Sequence, residues 1–192
     1  MKLTKLFFAA VIVLYANAAI AQADSKIASH LVTITVPEIA LLDLEATSTA
    51  ITLAGTAPTE AGLPMTFGAA ATNSTIWMNY SSIVSGTSTR NVTVAITDGT
   101  VPTGLKLTAL ASAASTDGAG TKGTAAATAL TLTATGQSIV TGIGSTYTGD
   151  GVNKGRNLTY QLDYANGEST DYAALRFDAV PALTITYTLS DI

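Results

Sequence analysis

The sequence predicts an all-β protein, a single antiparallel β-sandwich of about ten short strands. Three observations lead there. Runs of strict period-2 alternation rich in Val, Ile, Thr and Tyr recur along the chain, as half-buried strands require. Gly, Asx and Pro pairs punctuate those runs at turn-like intervals. No helix-period stretch of normal length appears; the Ala-rich segment 125–129 sits among Thr and Gly and offers a turn of helix at most.

Taken in order, the first strand has Val32, Ile34 and Val36 on one face and Thr33 and Thr35 on the other, until Pro37 interrupts it. Ile39 to Leu44 reads as a more fully buried continuation, followed by Ile51 and Leu53. Ile76, Met78 and Tyr80 alternate with Trp77 and Asn79, and Trp77 is expected in the core because Trp is usually highly buried. Val92, Val94 and Ile96 form the next run. Leu105 and Leu107, then Leu130 and Leu132, flank single polar residues. Leu158, Tyr160, Leu162 and Tyr164 make the longest alternation. Leu175 and Phe177 flank Arg176, and Leu183, Ile185, Tyr187 and Leu189 close the chain. Asn166-Gly167 is a turn signal, with a longer hairpin loop expected because the next run begins several residues on. The segments 112–123 and 142–155, rich in Gly, Ser and Thr, are expected to be surface loops or functional tips.

Composition narrows the class further. Lys2 and Lys5 precede a short apolar run, Leu6 to Leu14, and Ala19-Ile20-Ala21 supplies the small residues of a cleavage site. Residues 1–21 are therefore expected to be a secretory signal peptide, and 22–192 one domain without membrane insertion after cleavage. That domain has seven basic against thirteen acidic side chains, a net charge of −6, which argues against nucleic acid as a partner. Charged residues make up 11% of the chain, where about 25% is ordinary. Ala and Thr, at 33 each, take their place, a composition suited to sheets that face other sheets or subunits. There is no cysteine, so an exported chain of this kind depends on its core or on polymerisation rather than on disulfides.

The residues offer no catalytic constellation. His30 is the one histidine and is read as an exposed residue at a strand edge; Ser88 has no nucleophile elbow around it. One His and no Cys exclude the usual zinc sets. The Gly-rich segment 142–149 lacks the Lys and Ser/Thr of a phosphate loop, and Asp150 would repel phosphate. Asp43 and Glu45, two apart, share a strand face, but 150–155 lacks calcium-loop spacing. No enzyme activity, cofactor or metal is expected.

A Thr/Val strand at His30 to Val36, then Pro37, then the apolar stretch Ile39 to Leu44 with Asp43, and a terminal strand at Leu183 to Leu189 together resemble the cysteine-free Ig-like pilins of alternate chaperone–usher fimbriae and similar secreted bacterial surface proteins. The fimbrial pattern with a Cys pair and a Tyr next to the C-terminus is not matched: Tyr187 lies five residues before the end. The resemblance implies an Ig-like antiparallel β-sandwich at the cell surface or in the periplasm. It also implies a non-enzymatic fimbria-like structural subunit, with copies of itself or related subunits, and an assembly chaperone, as partners. The N-terminal strand, with Val32, Ile34 and Val36, would be donated to the next subunit; strand addition of that kind draws affinity from main-chain hydrogen bonds and register from alternate side chains. The same alternation equally suits a first strand that closes its own sheet. The alternative is a secreted binding module or adhesin that takes a glycan or protein with its Gly-rich loops, Tyr147 and Lys154 being the first side chains to test.

Overall fold

The computed structural model describes residues 26–46, 50–178 and 182–192. The expected signal peptide lies outside the described residues. The chain divides into two units, Met1–Val36 and Pro37–Ile192. The second unit begins at Pro37.

In the first unit, residues 27–36 carry neither helix nor strand. The expected strand over 32–36 is not formed, since none of its backbone enters a ladder. Proline offers no N–H to continue pairing at position 37.

The second unit is antiparallel β-structure. Its strands are β1 (Ile39–Glu45), β2 (Thr72–Ile83), β3 (Arg90–Asp98), β4 (Leu105–Ala111), β5 (Ala119–Ala125), β6 (Leu130–Thr131), β7 (Gln137–Tyr147), β8 (Arg156–Tyr164) and β9 (Thr184–Asp191). They form one hydrogen-bonded network in the order β6-β4-β8-β2-β7-β3-β9, with β1 added to β2 and β5 to β7. The long β2 organises it. One edge pairs with β1 from Trp77 to Ile83. The other pairs first with β8, over Thr72–Met78, and then with β7 at Ser81 and Ser82. A register shift between Asn73 and Ile76 interrupts the β8 pairing, and the change of partner follows between Met78 and Ser81. On the edge facing β7 and β8 the change-over leaves Tyr80 without a strand partner, and Thr148 substitutes: its Oγ1 accepts from Tyr80 N at 2.9 Å and its N donates to Tyr80 O.

The alternation read from sequence supplies most of the core, and β7 adds the rest. Ile76, Met78 and Tyr80 of β2, Val92, Val94 and Ile96 of β3, Leu107 and Ala109 of β4, Ile139, Val140 and Ile143 of β7, and Leu158 and Tyr160 of β8 pack together. Trp77, expected in the core, is instead half-buried on the opposite face, across the ladder from Glu45. Phe177 corrects a second expectation, being 99% exposed and outside any strand. The segment after Asn166-Gly167 turns helical, as α1 (Glu168–Asp171) and a 3-10 turn (Tyr172–Ala174). The Asp171 carboxylate accepts from Asn166 N, Gly167 N and Asn166 Nδ2, which closes that turn and prevents a hairpin.

Two arginines sit inside this fold, each 2% exposed. Arg90 gathers one end of the strands: it donates to Ser82 Oγ at 3.1 Å, to Ile83 O, to Ile39 O, to Glu38 and to Asp191 Oδ1 at 2.7 Å. Arg156 donates to Tyr80 Oη, Ser112 O, Lys122 O and Gly123 O. The sequence does contain their signal. Arg90 is in phase with Val92, Val94 and Ile96, and Arg156 with Leu158 and Tyr160, so period-2 alternation puts each arginine on the inward row.

Candidate functional site

Leu31, Val32, Ile34 and Val36 are 92%, 65%, 84% and 69% exposed. Four aliphatic side chains in six residues all face solvent, whereas β2, β3 and β8 bury most of theirs. Covering one such side chain fully yields roughly 1.5–3 kcal/mol, so a partner that covers several gains enough to compete with the cost of ordering the segment. The segment joins the β unit at Glu38 and Ile39, both held by Arg90. Within the second unit, Arg90 thus ties Glu38 and Ile39 to the C-terminal ends of β2 and β9. His30, just before it, is exposed as expected, but no strand forms there for it to edge.

The two Gly-rich segments expected as loops are partly strand: residues 119–123 belong to β5 and 142–147 to β7. What remains of them packs together. Lys154 Nζ pairs with Asp117 Oδ1 at 2.6 Å, and Ser115 N donates to Gly155 O. Lys122 Nζ donates to Ser115 O and Asp117 O. Lys154, a candidate binding residue, thus has its charge engaged within the protein. The same contact, through the hydrogen bond first and the charge after it, holds the Asp117 carboxyl below its ordinary range. Tyr147, the other candidate, is 56% exposed at the end of β7. It stands in a row across four strands with Ala119 of β5, Ser81 of β2 and Leu41 of β1.

Beside that row the fold gathers three carboxylates. Asp43 and Glu45 of β1 and Asp150 of the β7–β8 loop place oxygens within 4.8 Å of one another. Desolvation raises the Glu45 pKa, and Asp43 and Asp150 raise it further. The shared face of Asp43 and Glu45 follows from their spacing; Asp150 is more than a hundred residues away, and only the folded loop adds it.

At the opposite end of the strands from Arg90 lies an apolar groove of about 470 Å³. Leu44, Leu53, Leu105, Leu162, Leu183 and Ile185 are among its walls. Tyr160 lines it too, with its hydroxyl 2.7 Å from that of Tyr187.

Among the described residues, no helix is long and apolar enough to cross a membrane. Compared with known proteins, the chain matches no family model, no curated protein and no solved structure.

Proposed function

We propose that this is an exported, non-enzymatic structural subunit, fimbria-like in design, that assembles with copies of itself through the segment around Val32, Ile34 and Val36. The observation that carries the reading is the solvent exposure of four aliphatic side chains in residues 31–36, in a chain whose β2, β3 and β8 bury most of their aliphatic alternation. An Ig-like sandwich suits the antiparallel pairing and the partner change along β2. Export rests on the charged and apolar pattern of residues 1–21, and surface or periplasmic residence follows from it. A chaperone that covers the aliphatic segment before assembly fits the same chemistry.

Light scattering after size exclusion tests this with residues 22–192. The expected result is a concentration-dependent series of species heavier than the monomer. The triple variant Val32→Asp, Ile34→Asp, Val36→Asp, altered only at exposed positions, is expected to be monomeric with an unchanged circular dichroism spectrum. A wild-type chain that stays monomeric across the series contradicts the reading.

A binding module is the second reading, favoured by the exposed Tyr147 and Leu41 in one row on either side of Ser81. With Lys154 tied to Asp117, Tyr147 carries most of that idea. Loss of glycan or protein capture in Tyr147→Ala, with assembly intact, would support it; unchanged capture would remove it.

A further inference from the structure

We infer that Asp43, Glu45 and Asp150, with the side-chain carbonyl of Asn79, form a binding site for a calcium ion that ties β1 to the β7–β8 loop. This site lies wholly within the second unit and is independent of the assembly reading.

The acidic cluster has no positive counterpart within the protein. Asp43, Glu45 and Asp150 each bring an oxygen within 4.8 Å of the others. Among the described residues, no Lys or Arg pairs with any of them; Lys154, in the same loop as Asp150, is taken by Asp117. Like charges held this close repel, and a cation bound among them reverses that repulsion.

Asn79 points to a cation independently of the charges. It is 4% exposed. It lies directly across the β1–β2 ladder from Asp43, so the two side chains leave the same face of the sheet with Cβ atoms about 4.5–5.5 Å apart. Its Nδ2 donates at 3.0 Å to the carbonyl of Gly151, the residue after Asp150. That bond fixes which branch of the carboxamide is the amine. The other branch, Oδ1, is buried and, among the described residues, accepts no hydrogen bond. A buried acceptor without a donor is unfavourable. Gly155 keeps a side chain away from it, since a Cβ there would lie 2.5 Å from Oδ1. The Asn79 carboxamide is thus set between Asp43 on one side and the backbone beside Asp150 on the other, with a free oxygen to give.

The donor set selects the ion. All four groups offer oxygen, which suits a hard cation. Calcium takes about six to eight oxygens at 2.3–2.6 Å, carboxylates and Asn carbonyls among them, in a flexible geometry. Two oxygens on one such ion can be up to roughly 4.6–5.2 Å apart, a span that the cluster already meets. Magnesium demands a near-octahedral set at about 2.0–2.1 Å, to which side chains from two strands and a loop are less suited. Asp43 and Asp150 are exposed, so water can complete the shell. No calcium-loop spacing marks the site in the sequence, because its ligands come from β1, β2 and a distant loop.

Trp77 makes the site readable. It is the one tryptophan of the chain and pairs with Glu45 across the same ladder. Terbium, which replaces calcium in oxygen sites and emits when a nearby indole is excited, is added to chelator-treated residues 22–192. The expected result is terbium emission on exciting Trp77, abolished by excess calcium and not by the same concentration of magnesium. Calorimetry with calcium alone should give one site per chain with a Kd below about 1 mM. Asp150→Asn, altered at an exposed position, should weaken calcium binding at least tenfold. Glu60→Gln, an exposed carboxylate outside the cluster, should leave it unchanged. Calcium at about a hundredfold above Kd should raise the melting temperature of the unaltered chain by roughly 5–10 °C, and that of Asp150→Asn by much less. Absence of both heat and emission up to about 10 mM calcium would overturn the inference. Binding that Asp150→Asn leaves intact, or that Glu60→Gln weakens equally, would overturn it by showing general attraction to an acidic surface. Displacement of terbium by magnesium as readily as by calcium would overturn the assignment to calcium.

Discussion

Arg90 and Asp191 join the start of β3 to the end of β9, with the guanidinium Nε 2.7 Å from Oδ1 of a carboxylate that is 71% exposed. The same buried guanidinium also caps Ile39 O, Ile83 O and Ser82. The two partners should therefore respond unequally to mutation. Arg90→Met strands the buried acceptors and should cost about 3 kcal/mol. Asp191→Asn removes one exposed partner and should cost less than about 1 kcal/mol. Urea unfolding midpoints of the two variants check the difference, and equal losses would show that the exposed ion pair is the main contribution.

Arg156 is the second buried guanidinium, and its donors go to three backbone carbonyls and the Tyr80 hydroxyl. Arg156→Lys keeps the charge but loses the planar fork, so at most part of that set can be remade. It should destabilise by about 2 kcal/mol, and Tyr80→Phe by about 1 kcal/mol, read from the same unfolding curves.

Tyr160 and Tyr187 share a hydrogen bond at the edge of the core. Removing one hydroxyl leaves the other without its partner, whereas removing both leaves an apolar contact. Each single change to Phe should cost about 1 kcal/mol, and the double variant less than the sum of the two. Burial first, and Tyr160 next, push the Tyr187 hydroxyl far above the ordinary tyrosine value. Alkaline absorbance titration should show both residues still protonated when exposed tyrosines have ionised.

Carboxylates of opposite behaviour shape the acid response. Asp171 is held below its ordinary value of 3.8, by the Asn166 backbone bond first. Its stabilisation is therefore complete above that value and is lost as the pH falls through the lower folded one. Glu45 is raised above 4.5 by desolvation and by Asp43 and Asp150. Its penalty is present at neutral pH and vanishes as the pH falls below 4.5. Asp171→Asn should lower the melting temperature at pH 7, and Glu45→Gln should raise it. Both differences should shrink in acid, Glu45→Gln losing its advantage first.

Gly155 sits at φ +62°, and a Cβ there would lie 2.1 Å from Met78 O. Gly155→Ala should destabilise by more than about 1 kcal/mol and loosen the β7–β8 loop. Proteolysis within 148–155 would report it.

The strands with clean alternation were legible from sequence: β2, β3, β4, β8 and β9 all lie where Ile76, Val92, Leu105, Leu158 and Ile185 place them. The strands that were not legible lack that pattern for physical reasons. In β5, Ala119–Ala125 holds no large apolar residue, and Gly123 at φ +69° lets the strand lie against Thr141 O, where a Cβ would be 2.5 Å away. In β7, register shifts against β3 break the period, so Ile139 and Val140 are both buried although adjacent. The strand expected over Leu175–Phe177 was lost to the turn that Asp171 closes. At the candidate site, the aliphatic face of 32–36 was readable, but its exposure was not, because alternation alone does not say whether a strand finds a partner. The gathering of Asp150 with Asp43 and Glu45 depends on a long-range loop position that no local spacing encodes.

The most direct measurement is amide hydrogen exchange over residues 31–36, in dilute monomer and in concentrated assembled samples of residues 22–192. Fast exchange in the monomer and strong protection on assembly are the predicted result, since strand addition engages the backbone N–H groups. Protection already complete in the monomer, or exchange that stays fast at high concentration, would contradict the assembly role proposed for Val32, Ile34 and Val36.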